Sequence, residues 1–348
     1  MTVQRTIALD VMGGDHGPAV VIEGASISLI RQPNLRFVLV GDPEAIEKEL
    51  VAYPKLKDAS TVVVADSIIE MDAKPSQAVR RGKGSSMWVA VEQVVEGEAD
   101  AVVSAGNTGA LMAISKLLLR PLGTVDRPAI AALWPTTESE CVVLDVGANI
   151  GASSQQLCDF AMMGAAMARA VFGVERPTVG LLNVGTEDVK GGDEVRDAHE
   201  TLRALDNVAI DYRGFVEGDQ IGFGTVDVVV VEGFAGNIAL KTAEGTAKQI
   251  GVYLRQAMTR SVFSRIGAFF ARGGFAVLKS KMDPRRINGG TFLGLNGLAI
   301  KSHGGTDALG FASAIDLGYD MACSPLLERM AVDLETLHGQ MSSVAATG

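Results

Sequence analysis

Two carboxylates, a histidine and three glycines fall within nine residues, Asp10-Val-Met-Gly-Gly-Asp-His-Gly-Pro18, near the start of this chain. The apolar run Ile7-Ala8-Leu9 before them has the character of a strand, and residues 19–29 after them have the pattern of a helix. The cluster therefore sits on a strand-to-helix turn. In an open α/β sheet such a turn faces the crevice at the carboxyl ends of the strands, where ligands bind. Gly13 and Gly14 allow backbone N–H groups to approach an anion closely. Asp10, Asp15 and His16 are the candidate groups for orienting such a ligand or handling its protons. A tight turn carrying solvated acids is the other reading, because Gly and Asp also serve turns.

Asn and Gly recur at four further strand ends: Gly106-Asn107 followed by Thr108, Gly147 with Asn149, Asn183 with Gly185, and Gly236-Asn237. Free N–H groups and the dipole at a helix start make anion sites, and neutral amides add donors without fixed charge. A ring of such loops would suit a phosphate, or an oxyanion developing on a carbonyl. Three lysines lie near them. Lys190 follows the Asn183 loop, Lys241 lies one helical turn beyond Asn237, and Lys301 precedes the turn Ser302-His303-Gly304-Gly305-Thr306-Asp307. A lysine beside such a loop can hold a phosphate as a point charge.

Other chemistries lack their residues. The chain has no GxSxG elbow, no GxxxxGK[ST] loop, no HExxH and no calcium loop. His16, His199, His303 and His338 are not at metal-ligand spacing, so neither a metal nor a cofactor is expected. His199 and His338 are expected to be solvated. Cys141, Cys158 and Cys323 lie in apolar stretches without a CxxC, which predicts buried, reduced thiols and no covalent thiol chemistry.

The elements that must hold these groups follow one pattern: apolar strand, Gly/Asn loop, helix. Strands are predicted near 37–40, 61–65, 101–104, 141–145, 178–182 and 226–231. Helices are predicted near 44–51, 85–95, 110–119, 154–171, 193–205 and from 238 onward. This alternation predicts an α/β fold with a mostly parallel sheet covered on both faces. Hydrophobic residues are 47% of the chain and aromatics only 5%, which suits Val/Ile-rich parallel strands rather than an aromatic sandwich. The formal net charge of −10 argues against nucleic-acid binding. No apolar run reaches the roughly 20 residues of a spanning helix, and the first residues do not form a secretory signal. Residues 1–338 are expected to form a single α/β catalytic domain. The small, polar tail 339–348 is expected to fray.

One segment departs from the pattern. Between Lys248 and Arg286 stand nine basic residues and a single acid, Asp283. Leu254, Met258, Val262, Ile266, Phe269 and Phe270 recur there at helical spacing. This reads as a basic amphipathic helical projection over 248–286. Arg265, Phe269, Phe270 and Arg272 would be its contact residues for an anionic membrane surface or an acidic protein. A stripe packed on the body or on a second subunit is the alternative.

Taken together, the motifs resemble the bacterial phosphate acyltransferase family, PlsX. The opening signature is joined by Met71-Asp-Ala-Lys-Pro-Ser-Gln-Ala-Val-Arg80, Ser104-Ala-Gly-Asn-Thr-Gly-Ala110 and Leu144-Asp-Val-Gly-Ala-Asn149. It is also joined by Leu182-Asn-Val-Gly-Thr-Glu187, Glu232-Gly-Phe-Ala-Gly-Asn-Ile-Ala-Leu-Lys241 and Leu293-Gly-Leu-Asn-Gly-Leu-Ala-Ile-Lys-Ser-His-Gly304. Val11, Glu232, Gly305 and Thr306 depart from the family pattern. The resemblance implies a Rossmann-like three-layer α/β/α fold related to isocitrate dehydrogenases and phosphotransacetylases. It implies a cytoplasmic homodimer, peripheral on the inner face of the membrane, that moves a long acyl chain from acyl carrier protein to inorganic phosphate. The acyl phosphate would feed a membrane acyltransferase, PlsY, in phospholipid synthesis.

The residues agree with direct transfer. Phosphate is itself a nucleophile and a thioester is already activated, so positioning and oxyanion stabilisation suffice. The candidate catalytic groups are Asp10, Asp15, His16 and Lys190. The candidate phosphate or carbonyl ligands are Gly13, Gly14, Gly106, Asn107, Thr108, Asn149, Asn183, Gly185, Gly236, Asn237, Lys241, Lys301 and His303. A phosphate acetyltransferase using acetyl-coenzyme A is the alternative. A dehydrogenase and a non-catalytic scaffold are more distant rivals.

Overall fold

The computed structural model describes residues 4–206, 208–281 and 288–347. Its strands are β1 (Arg5–Asp10), β2 (Leu35–Gly41), β3 (Ser60–Val64), β4 (Ala101–Ser104), β5 (Ala129–Pro135), β6 (Glu140–Leu144), β7 (Thr178–Leu182), β8 (Asp211–Val216), β9 (Val228–Val230), β10 (Gly290–Leu293) and β11 (Leu298–Lys301). Its helices are α1 (Pro18–Arg31), α2 (Pro43–Leu50), α3 (Pro54–Asp58), α4 (Pro75–Arg81), α5 (Ser86–Val95), α6 (Thr108–Leu118), α7 (Ser154–Phe172), α8 (Asp193–Ala204), α9 (Gly233–Thr259), α10 (Val262–Phe270), α11 (Arg272–Lys281), α12 (Ala308–Ala322) and α13 (Leu326–Thr347).

Local chemistry starts many of these helices. The side chains of Asp42, Ser85, Asn107, Ser153, Glu232 and Asp307 each accept a backbone N–H of the following first turn. Ser153 and Gln156 complete a reciprocal capping box ahead of α7. Every one of these caps closes a strand-end loop or a short connection, so the same residues that start helices also shape the loops that could bind ligand.

All the strands join in one sheet, ordered β3-β2-β1-β4-β11-β10-β5-β6-β9-β7-β8. Pairing is mostly parallel, as expected. Alternate residues of β1 point to opposite faces: Ile7 and Leu9 join one apolar core and Ala8 the other. Helices α1, α7, α12 and α13 cover the first face, and α5, α6 and the start of α9 the second, which makes three layers.

The antiparallel pairs β11/β10, β10/β5 and β5/β6 lie together in the middle. Crossing them reverses the sheet. The block β3-β2-β1-β4-β11 runs one way and the block β6-β9-β7-β8 runs the other. Counted outward from the β10/β5 pair, β11, β4, β1 and β2 match β6, β9, β7 and β8 in place, with opposite direction. The fold is therefore two like halves related by a local two-fold arrangement.

Several expectations are corrected. The amphipathic stripe of 248–286 is not one helix: α9 ends at Thr259, and Ser261 caps a new helix by accepting from Ser264 N at 3.1 Å. Arg285 and Arg286 lie outside the described residues, as do the side chains of Lys279 and Lys281. Helix α13 carries the backbone to Thr347, through the tail marked for fraying. His338 is held rather than solvated, with Nε2 2.7 Å from the buried Asp159 carboxylate; α13 packs across α7, which supplies that partner. His199 is buried too, stacked on Phe215 at 4.4 Å with Nδ1 2.7 Å from the Tyr212 hydroxyl. Cys141 and Cys158 are buried and their thiols are pushed up to about 12, but Cys323 is exposed just past α12. Among the described residues no helix is long and apolar enough to cross a membrane.

Candidate active site

The loops after β1, β4 and β11 close on one another because those three strands are neighbours and end at the same edge. Asp10, the last residue of β1, is almost wholly buried. Its Oδ2 accepts from Ser104 Oγ at 2.6 Å, and Ser104 Oγ in turn accepts from Gly106 N at 3.0 Å. Asp10 Oδ1 is buried and has no hydrogen-bond partner among the described residues. Burial pushes the Asp10 carboxyl up, against the pull of the Ser104 and Ser86 hydroxyls and the Lys301 charge. Gly13 is required here by contact. A Cβ there would stand 2.6 Å from Asp10 Oδ2 and 2.9 Å from Gly106 N.

Lys301 ends β11 on the same edge. Its Nζ donates to the carbonyls of Ala105, at 3.3 Å, and Ser302. Burial lowers the ammonium to about 8, while the nearby Asp10 and Asp15 charges resist that shift. The turns are tied together by main-chain bonds: Ser302 N donates to Ser104 O at 2.9 Å, and Asp15 N donates to Gly304 O at 2.9 Å. Gly14, at φ +91, is the bend that brings Asp15 to Gly304. Asp15 and His16 are exposed at the rim. Met71 reaches over the site, since a Cβ on Gly304 would lie 2.8 Å from its Cε methyl carbon.

Asn107 is spent on structure. Its Nδ2 donates to the carbonyls of Met71 (2.6 Å) and Ala73 (3.0 Å), and its Oδ1 caps α6 through Ala110 N at 2.9 Å. Donors toward the crevice from this loop are therefore backbone groups, with Thr108 at the exposed first position of α6. His303 points away toward α9, with Nε2 3.5 Å from Glu244 Oε1.

The other Asn/Gly loops end on the opposite edge, because β6, β9 and β7 belong to the reversed block. There Asp145 organises a compact turn. It accepts from the backbone N–H of Ile130, Gly147, Ala148 and Asn149 at 2.8–3.0 Å and from Asn149 Nδ2 at 2.9 Å. Asn149 is buried by this work, its amide also donating to Pro128 O. Gly236 is a packing position: a Cβ there would stand 1.9 Å from Asp145 O. Asn183 folds its own loop, donating to Lys190 O at 3.1 Å and accepting from Val184 N at 2.9 Å. Gly185 is covered by Glu187 and Lys190 of that loop. Lys190 is exposed. Beside them an open groove of about 600 Å³ is lined by Asn237 and Lys241 with the apolar Ile150, Phe234 and Ile238.

The expected ring of donor loops is thus two clusters. Asp10, Gly13, Gly14, Asp15, His16, Gly106, Thr108 and Lys301 share one edge; Asn149, Asn183, Gly185, Lys190, Gly236 and Asn237 share the other, and Lys241 lies along α9 between them, one turn before Glu244. Ser104, Ser86, Asp145 and Glu244 went unrecognised in the sequence. Asp145 ends its strand as Asp10 does, which was a usable signal. The hydroxyls and Glu244 gave none.

Helix starts and a buried ammonium at one edge of an α/β/α sheet make an arrangement suited to an anion. Solved structures with this fold include a phosphotransacetylase from Streptococcus pyogenes, at TM-score 0.62 and 18% identity, covering 92% of this chain and 94% of that one. They also include a 4-hydroxythreonine-4-phosphate dehydrogenase from Salmonella typhimurium, described as putative, at TM-score 0.54 and 13% identity, covering 92% and 100%. The chain belongs to the fatty acid synthesis protein family, whose profile matches residues 5–329. A phosphate acyltransferase of Rhizobium meliloti is 59% identical over 97% of this chain and 98% of its own length. One from Brucella canis is 57% identical over 98% and 99%. With such relatives the chain is a transferase enzyme.

Proposed function

We propose that this enzyme moves a long acyl group from the thioester of acyl carrier protein to inorganic phosphate by direct transfer. A phosphate oxygen attacks the thioester carbonyl carbon, the C–O bond forms, the C–S bond breaks, and the thiol leaves with a proton. The observation that carries this reading is Lys301, a partly desolvated ammonium held against the Ala105 and Ser302 carbonyls at the β1/β4/β11 edge. It offers phosphate a charge in a place where water competes weakly. Its lowered proton affinity also suits it to protonate a departing thiolate. Asp10 anchors the Ser104 hydroxyl, which in turn accepts from Gly106 N and fixes the loop beside Lys301, and Asp15 and His16 occupy the rim. The test mixes the pure protein with palmitoyl carrier protein and phosphate and traps acyl phosphate as its hydroxamate. Turnover of acetyl-coenzyme A alone would select the short-chain phosphate acetyltransferase reading instead.

The remaining parts of the reading concern assembly and place. Residues 1–338 form one catalytic domain bearing the helices of 248–286. Lys190 and Asn237 act at the site of a second copy in a homodimer, because their edge is the far end of strands about 16 Å long (five residues at about 3.3 Å each). The acyl phosphate passes to a membrane acyltransferase of the PlsY type. Phe263, Phe269 and Phe270 are exposed on α10, Arg272 lies 4.8 Å over the Phe269 ring, and Arg265 stands between them. That surface adsorbs reversibly to anionic membrane from the cytoplasmic side. Replacing Phe269 and Phe270 with Asp should abolish co-sedimentation with phosphatidylglycerol vesicles. Undiminished sedimentation would mean the aromatic surface serves another contact.

A further inference from the structure

Both crossings between the sheet and the α9–α11 helices touch one turn. Outward, α9 runs from the β9 end back across the sheet, and at Glu244 it meets His303, Nε2 to Oε1 3.5 Å. The hydrogen bond from His303, helped by the Lys248 and Lys241 charges, holds the Glu244 carboxyl below the usual range, so it is an ionised acceptor at neutral pH. On the return, Asn288 is buried and every polar atom of its side chain is used. Nδ2 donates to Ser302 Oγ (2.8 Å), Gly310 O (2.9 Å) and Thr306 Oγ1 (3.3 Å), while Oδ1 accepts from His303 N (3.1 Å). The turn so gripped, residues 302–306, begins at Lys301. It presents Gly304 O to Asp15 N and rests its first N–H on Ser104 O.

We propose that Glu244 and Asn288 are positioning residues of the phosphate site, acting through the 302–306 turn. The inference rests on the reading that phosphate binds at the Lys301 edge. Neither residue touches the crevice groups directly. Each fixes where the turn places Lys301 and Gly304 relative to Asp10 and Asp15. A displacement of α9 at Glu244 therefore moves the phosphate site, and whatever engages α10 and α11 acts on the reaction through this contact.

The test compares Glu244→Ala, Glu244→Gln and Asn288→Ala in the full chain, with two readouts. In steady-state kinetics, Glu244→Ala should raise KM for phosphate about five- to tenfold, with kcat and KM for the acyl donor within about twofold. Glu244→Gln, which keeps an acceptor for His303, should restore most of that loss. In amide hydrogen exchange, Glu244→Ala should speed the Asp15 and Thr306 amides, which bond the Gly304 and His303 carbonyls, and leave the strand amides unchanged. Asn288→Ala should do the same more strongly, with its thermal midpoint measured in parallel because the residue is buried. Unchanged exchange at those two amides in both alanine variants overturns the proposal, as does an unchanged KM for phosphate in an active enzyme. Wild-type protein that forms no acyl hydroxamate overturns the phosphate reading alone, since the exchange result needs no turnover.

Discussion

Lys301→Met should lower kcat/KM for phosphate by about 10²- to 10³-fold, the loss expected when a preorganised charge is taken from a developing anion. The side chain has no structural duty that a methionine could not fill by volume. Among the described residues its ammonium donates to two carbonyls, those of Ala105 and Ser302. What disappears is charge in a site already holding Asp10 and Asp15, so phosphate would meet two carboxylates unopposed. The sign of the pH effect follows from the same residue. Lys301 is charged below about 8 and neutral above it, so wild-type kcat/KM for phosphate should fall as pH rises through that value. That ratio reports the free enzyme. Lys301→Arg, with a cation that does not titrate, should retain part of the activity and lose the falling limb. A profile flat to pH 9 in the wild type would sink the assignment.

Asp10→Asn and Lys190→Ala should each be nearly inactive alone, yet recover about one quarter of wild-type activity when unfolded together and refolded as a mixture. The fraction is statistical. Half the dimers would be mixed, and one of the two sites in each would take its β1 edge and its β7 edge from undamaged copies. The expectation comes from the sheet reversal, which sends Asp10 and Lys190 to opposite strand ends of one chain. No recovery from two inactive parents would place both residues in one chain's site and refute the cross-chain reading. An active Lys190→Ala would remove that lysine from the machinery altogether.

Much of the architecture was readable because it is written locally. The strand-loop-helix units carry apolar runs, caps and glycines in order, and Ser85, Asn107, Ser153 and Glu232 start helices where such residues should. The reversal was not readable. It depends on β5 and β10, strands outside the repeating units, whose antiparallel pairing is a long-range choice that no window of residues records. That omission is why loops of like composition were expected to converge. It also hid the correspondence of the Ser104 and Glu232 loops, which now stand at matching places in two opposed halves. Within the site, Asp10, Gly13 and Lys301 were legible from residue type at a strand end. Asn107 and Asn183 were misleading for a physical reason. An amide that suits an anion suits a turn equally well, and the chain used both for turns.

Beyond Gly236, no described residue up to Leu278 is buried. Helices of nine and ten residues, such as α10 and α11, are marginal in water without a face to pack. Their free energy of local opening must therefore be small, and a surface that receives them supplies the missing burial at the cost of ordering them. Part of the contact energy is consumed in that ordering, which shortens residence on any surface. Such a surface would suit the cycle proposed above, in which the enzyme collects an acyl group from a diffusing carrier, releases its product at a lipid boundary, and leaves.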